Sequence, residues 1–414
     1  VSLSRQTRTW LFLLMGGALI ARLAVTLFFA DNHTLYYEYM EIARNILDGH
    51  GYSWKDAYTQ PLQVTSFLPP LYVFWCLFFI WLSSANFLPM YIAQAVVAAT
   101  GCIPAYLVGK RFFTHQVGLI FATFYAIYPE FVYLHSRPVS EFLYVVLALW
   151  LLYGYTLLRD DDPKSRTSFR RSLWLGLLFG VTILVKEGAT VLLTVIALSL
   201  LIAKRPRATV LRRSVVPMVA VAVLVVLPWT IRNYVAQGKF IPIRTGFGYT
   251  LWVGNHPGGN GLLWLENGSK TQDDLPEDYK AYVDRNLPND EQARDSFYFS
   301  EVGRFIRSNP LHYADLCLRR LGVYLWFDPT HPLAQNIIYR ISYILTLVLA
   351  IPGIILAIRR KQMDPIFPLT YFGYLLLYVP VLVLPRYRII PLLVLLLMSA
   401  FSFHRLFERK EWLS

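Results

Sequence analysis

PPLYVFWCLFFIWLS, residues 69–83, is the stretch on which the threading of this chain turns. It begins on Pro69-Pro70, is crowded with aromatics and holds 15 residues, whereas a membrane-crossing helix needs about 20. If it does not cross, the basic clusters Arg5/Arg8, Lys110/Arg111, 159–171, 204–213, Arg359-Arg360-Lys361 and Arg405/Arg409/Lys410 all fall on one side. Lys and Arg excess marks that side as the cytoplasm. If it does cross, every cluster after the first moves outside. The stretch is therefore read as a helix lying in the outer interface, where aromatic side chains are at home.

Outward from it, ten segments read as spans: 10–30, 87–109, 116–134, 139–158, 173–187, 189–203, 214–231, 337–358, 365–384 and 388–404. The first is too long for a signal-peptide core and shows no small-x-small cleavage site, so it reads as an uncleaved anchor. The fold class expected is an all-α polytopic membrane protein, one membrane domain over 1–414, with both termini cytoplasmic. Two long loops face outside, 31–86 with its interfacial helices and 232–336, a small soluble excursion. No internal repeat is evident, which disfavours an inverted-repeat transporter.

Composition agrees. Of 414 residues 56% are apolar and only 16% charged, against a usual ~25% charged, so an ordinary soluble enzyme is excluded. The net charge of +13 sits in short clusters between apolar runs, the membrane pattern rather than a nucleic-acid footprint. Cys76, Cys102 and Cys317 lie far apart without ligand spacing, which supports neither a disulfide framework nor a zinc site.

In the first loop, YYEYMEIARNIL (36–47) has helical periodicity. Tyr36, Tyr39, Met40, Ala43, Ile46 and Leu47 share one face, Glu38, Glu41, Asn45 and Asp48 the other, and Gly49 and Gly51 are stop signals. Asn32-His33-Thr34 and Asn267-Gly268-Ser269 fit the glycosylation sequon, a triplet common by chance.

The run YEYMEIARNILDGHGYS followed by FLPPLYVFWCLFF resembles the first outer loop of the GT-C membrane glycosyltransferases. The branch is the prokaryotic one related to protein O-mannosyltransferases and the lipid A aminoarabinose transferase. LPWTIRNY (227–234), GFGYTLWVGNHPGGNG (246–261) and PRYRIIPLL (385–393) continue the resemblance in order. It implies a GT-C fold in the inner membrane and a hexosyl or pentosyl transfer from a polyprenyl-phosphate sugar to an unnamed acceptor on the outer face. Membrane lipids are partners and nucleic acid is not. No cofactor is implied, with room left for a divalent ion, and no metal ligands are assigned.

The resemblance also implies a catalytic carboxylate, since an acceptor hydroxyl needs a base, and cations for the departing phosphate. The family's acid falls on Leu35-Tyr36 when the chain is registered on Tyr39-x-x-Ile42-Ala43. The nearby acids are Glu38, preferred for its place on the polar face, and Asp31. Phosphate binders are sought among Arg232, Arg386, Arg388, Arg137 and Lys186, with Arg244 and Arg22 also near the boundary. Glu130 and Glu141 are read as structural partners of Arg137. Tyr39, Glu41, Asn233 and Asn255 are taken to line the substrate cavity. The competing readings are a lipid-linked-saccharide flippase or transporter, and a catalytically inactive GT-C-like scaffold.

Overall fold

A computed structural model describes residues 4–31, 37–55, 62–83, 86–203 and 206–408. The sequon at Asn32, Tyr36, the family register at Leu35-Tyr36, and Lys204, Arg409 and Lys410 lie outside the described residues. The described residues are mostly helical, and among them one two-stranded antiparallel ribbon pairs Ser53 with Val64 and Trp54 with Gln63.

Among the described residues, seven helices are long and apolar enough to cross a membrane: Arg5–Phe29, Leu88–Phe112, Glu141–Asp160, Arg166–Val185, Arg207–Gln237, Ile337–Arg359 and Pro385–Glu408. His115–Ile127 and Pro129–Ser136 make an eighth, bent by 53°. The bend falls at Pro129, which offers no N–H to continue the helix. Two further segments read as spans, Ala189–Ala203 and Ile366–Tyr378, have 15 and 13 helical residues. Both fall short of the length needed to cross alone. Helix Pro70–Ser83 is short as well.

Close packing sets how the helices meet. Helix Arg166–Val185 lies so near Val216–Gln237 that a Cβ on Gly180 would stand 2.4 Å from the Val225 Cβ. Some polar side chains that enter the bundle bond to backbone. Buried Arg22 donates to the Ala18 and Ala126 carbonyls, each at 3.1 Å.

The two ends of the bundle differ. One carries Arg159 on Asp364 at 2.7 Å and Arg111 on Asp160 at 2.9 Å. The other carries both long loops. There a second, smaller core gathers Trp252, Val283, Tyr298 and Val302 of the second loop with Val381, Leu382 and Leu384, which lead into the last span. Buried Arg320 binds the same parts together, donating to the carbonyls of Val379 and Gly254 and to Asn255 Oδ1.

Candidate active site

Helix Glu38–Leu47 forms within the stretch where periodicity predicts it, with Tyr37 extended ahead of its first turn. Tyr39, Met40, Ile42 and Ala43 are buried, while Leu47 is exposed. Ile42 therefore joins the inward face and Leu47 leaves it. This orientation carries Tyr39 into the bundle, where its hydroxyl meets Ser140 Oγ at 3.1 Å. Burial pushes the Tyr39 phenol up to about 12 despite Lys186 beside it.

Around Tyr39 lies a cluster of charges from separate elements. Glu141 opens helix Glu141–Asp160, is only 2% exposed, and accepts from Lys186 Nζ at 2.9 Å. Arg386 Nε stands 4.0 Å from the same Glu141 oxygen, on a side chain 49% exposed. Glu187 accepts from Arg244 at 3.1 Å. Burial alone would raise the Glu187 carboxyl, but Arg244 and Lys186 hold it below the usual carboxylate range. Burial works against a charged Lys186 too; Glu141 outweighs it, and the ammonium stays protonated. Glu141 thus pairs with Lys186 and Arg386, not with Arg137, which donates to the Tyr133 hydroxyl at 3.4 Å.

Beside this cluster opens a cleft of about 230 Å³ whose walls include Glu38, Trp54, Phe67, Gly246 and Asp295. Phe67 links the two. Trp54 stacks on it at 4.6 Å, and the Arg244 guanidinium lies 5.3 Å from its ring centre. Gly246 permits this: its φ is +84°, and a Cβ there would meet the Phe67 ring at 2.6 Å. Glu291, itself on the wall, ties the two loops together, accepting from Thr65, the Ser66 N–H and Thr245. Asp295 accepts from the Tyr249 N–H at 3.2 Å at the head of helix Phe247–Gly254. Its burial raises the carboxyl above its ordinary value.

Glu38 lines the cleft and makes no hydrogen bond or ion pair among the described residues. Glu41 accepts from the Trp54 indole at 2.7 Å. Asp31 stands exposed just past the first span.

The remaining candidates sit elsewhere. Arg232 donates to the Thr65 carbonyl at 2.7 Å and to that of Tyr52 at 3.2 Å, sandwiched near Tyr52 and Trp229. Arg388 donates to the carbonyls of Val323 and Tyr324 and to the Tyr339 hydroxyl. Neither shares a hydrogen-bond or ion-pair partner with Lys186. Asn233 and Asn255 are fully buried and donate to backbone carbonyls, Ile241 and Ile243 for the first and Leu251, Pro380 and Val381 for the second. They knit loops and do not line the cleft. Sequence reading missed Glu141, Glu187 and Trp54 as site residues. Charges interrupting apolar runs, as Lys186-Glu187 and Glu141 do, were the available signal. All three cysteines are free.

This arrangement of bent and straight spans beneath a loop-borne cleft is the GT-C fold. The crystal structure of the Archaeoglobus fulgidus oligosaccharyltransferase in its apo form matches 97% of this chain and 51% of its own at TM-score 0.60 and 14% identity. The same organism's enzyme with an inhibitory peptide and a dolichol-phosphate matches 98% and 51% at 0.57, also at 14% identity. Its complex with zinc and sulfate matches 96% and 50% at TM-score 0.58 and 14% identity. The chain spans about half the length of these structures. Within it, residues 68–231 match the dolichyl-phosphate-mannose-protein mannosyltransferase family model. No curated protein sequence matches. The resemblance to the GT-C superfamily read from the loops is borne out. Among the described residues, no group of three or more His, Cys, Asp or Glu side chains is placed to hold a metal ion.

Proposed function

We propose that this protein is an inner-membrane glycosyltransferase that moves a sugar from a polyprenyl-phosphate donor to an acceptor hydroxyl on the outer face. Both termini are then cytoplasmic and the cleft faces outward. The observation that carries the reading is Glu38. Its carboxylate has no partner among the described residues and lies on the cleft wall, one residue from Tyr39, which reaches into the Lys186–Glu141–Arg386 cluster. A base and a cation cluster side by side are what transfer from a lipid phosphate needs.

The donor phosphate, at headgroup level, is held by Lys186 and Arg386, with Arg244 and exposed Arg137 at the margin. The acceptor oxygen bonds to the anomeric carbon as that carbon's bond to the phosphate oxygen breaks. The electron pair leaves on the phosphate, where preorganised cations stabilise it. The acceptor's proton passes to Glu38. Arg386 suits the phosphate, being half-exposed and only loosely engaged at 4.0 Å, and its planar fork binds oxygens in pairs. The dolichol-phosphate held by the archaeal oligosaccharyltransferase supports a lipid-phosphate donor on this fold. Asp31 is the alternative base; Arg232 and Arg388 are the alternative cations, but the backbone carbonyls they hold favour them less.

The test is transfer from synthetic polyprenyl-phosphate sugars by the purified chain in nanodiscs. Turnover that survives Glu38→Gln and is lost in Asp31→Asn reassigns the base. Absence of turnover with every donor and acceptor pairing leaves the scaffold reading instead.

A further inference from the structure

The cleft beside Glu38 has a composition of its own. One wall is a fixed aromatic plane: the Trp54 indole is anchored by its N–H on Glu41 at 2.7 Å and lies 22° from parallel with Phe67. Tyr249 and Tyr298 also line the cleft, their ring centres 5.3 Å apart. The lining holds two acceptor groups without donors among the described residues, the Glu38 carboxylate and the buried Gln272 Oε1. Exposed Lys270 supplies a donor at the rim.

Five backbone N–H groups at or beside the cleft are engaged. The Thr65 N–H donates to Tyr52 O, the Ser66 N–H to Glu291, the Thr245 N–H to Ser66 O and the Thr271 N–H to Leu263 O. The Tyr249 N–H is taken by Asp295. A peptide recognised by strand addition needs a free edge of such groups, and these five are taken. Recognition here falls to ring faces and side-chain acceptors.

We infer that the cleft binds a saccharide, so that the acceptor hydroxyl belongs to a glycan; this rests on the proposed role of Glu38. A sugar ring has an apolar C–H face, whose slight positive charge suits the negative face of an aromatic ring. Its rim of hydroxyls both donates and accepts. The hydroxyls donate to Glu38 and Gln272 and accept from Lys270, while the ring lies on Trp54. The hydroxyl turned to Glu38 is the one that reacts.

The experiment uses the full chain in nanodiscs, as Glu38→Gln so that bound acceptor is not consumed, on arrays of defined oligosaccharides and of Ser/Thr peptides. A subset of saccharides should bind, and adding Trp54→Ala or Gln272→Leu should each weaken that binding at least tenfold. The two variants alter separate lining side chains, so misfolding of one leaves the other to decide. Retention of no saccharide, binding of peptides instead, or full saccharide binding in a folded Trp54→Ala or Gln272→Leu chain overturns the inference. Should Glu38→Gln transfer sugar at the wild-type rate, the base assignment fails while the saccharide result stands by itself.

Discussion

Glu141 and Lys186 stand 45 positions apart and meet at 2.9 Å. Their meeting follows from topology. Glu141 opens one span and Lys186 follows the end of the next. The connection between the two is short, so the helices run antiparallel and the first residue of one lies beside the last of the other. Arg386, which leads into the final span, reaches the same carboxylate at 4.0 Å. Three apolar helices thus deliver their terminal charges to one place.

Glu38→Gln preserves size and helix while removing the base. Transfer should fall by about 10²–10⁴-fold, the usual contribution of a general base, with the folded level in membranes unchanged. Glu41→Gln, which loses only acceptor strength toward Trp54, should retain most activity. Both are read from initial rates with a synthetic donor.

Lys186→Met and Arg386→Ala should each weaken donor binding by about tenfold or more, since a charge-assisted hydrogen bond contributes ~1.5–3 kcal/mol. Arg232→Ala should act differently. It leaves the Thr65 carbonyl without its donor and takes from the Tyr52 carbonyl one of two, so thermal stability falls while the donor KM of the remaining folded protein stays near wild type. A selective rise in donor KM for Arg232→Ala would return that residue to the phosphate site.

Arg320→Leu strips donors from the Val379 and Gly254 carbonyls and from Asn255 Oδ1. Each buried group left unsatisfied costs about 1–3 kcal/mol, so a loss of several kcal/mol is expected. Thermal unfolding in detergent should show a large drop. A shift within error would mean that water replaces the guanidinium.

Burial, with Arg386, Arg137 and Arg388 acting against Asp328, pushes His331 down to about 4. In the unfolded chain the ring takes its proton near pH 6.5, so as pH falls from there towards 4 the unfolded state binds more protons and stability declines. His331→Asn keeps an acceptor for the Leu333 N–H, which now donates to Nδ1 at 3.1 Å, and removes the titration. Thermal stability of the variant should fall less steeply between pH 6.5 and 4. Identical slopes would show that other groups govern this range.

Much of the molecule was legible from its sequence. The apolar runs, the one-sided basic clusters and the period of 36–47 determine a polytopic helical bundle and an amphipathic helix in the first loop, because water and lipid each select side chains locally. The GT-C resemblance followed from loop motifs in order. Which charges converge was not legible. Arg232, Arg388, Asn233 and Asn255 sit in loop motifs that look functional, yet their polar atoms are taken by carbonyls of distant segments. Lys186, Glu141, Arg244 and Trp54 become neighbours only when helices pack and Phe67 slides under Gly246. A hydrogen bond or ion pair forms over about 3 Å, and no periodicity in a chain specifies which residues from separate elements come that close. That selection belongs to the packing.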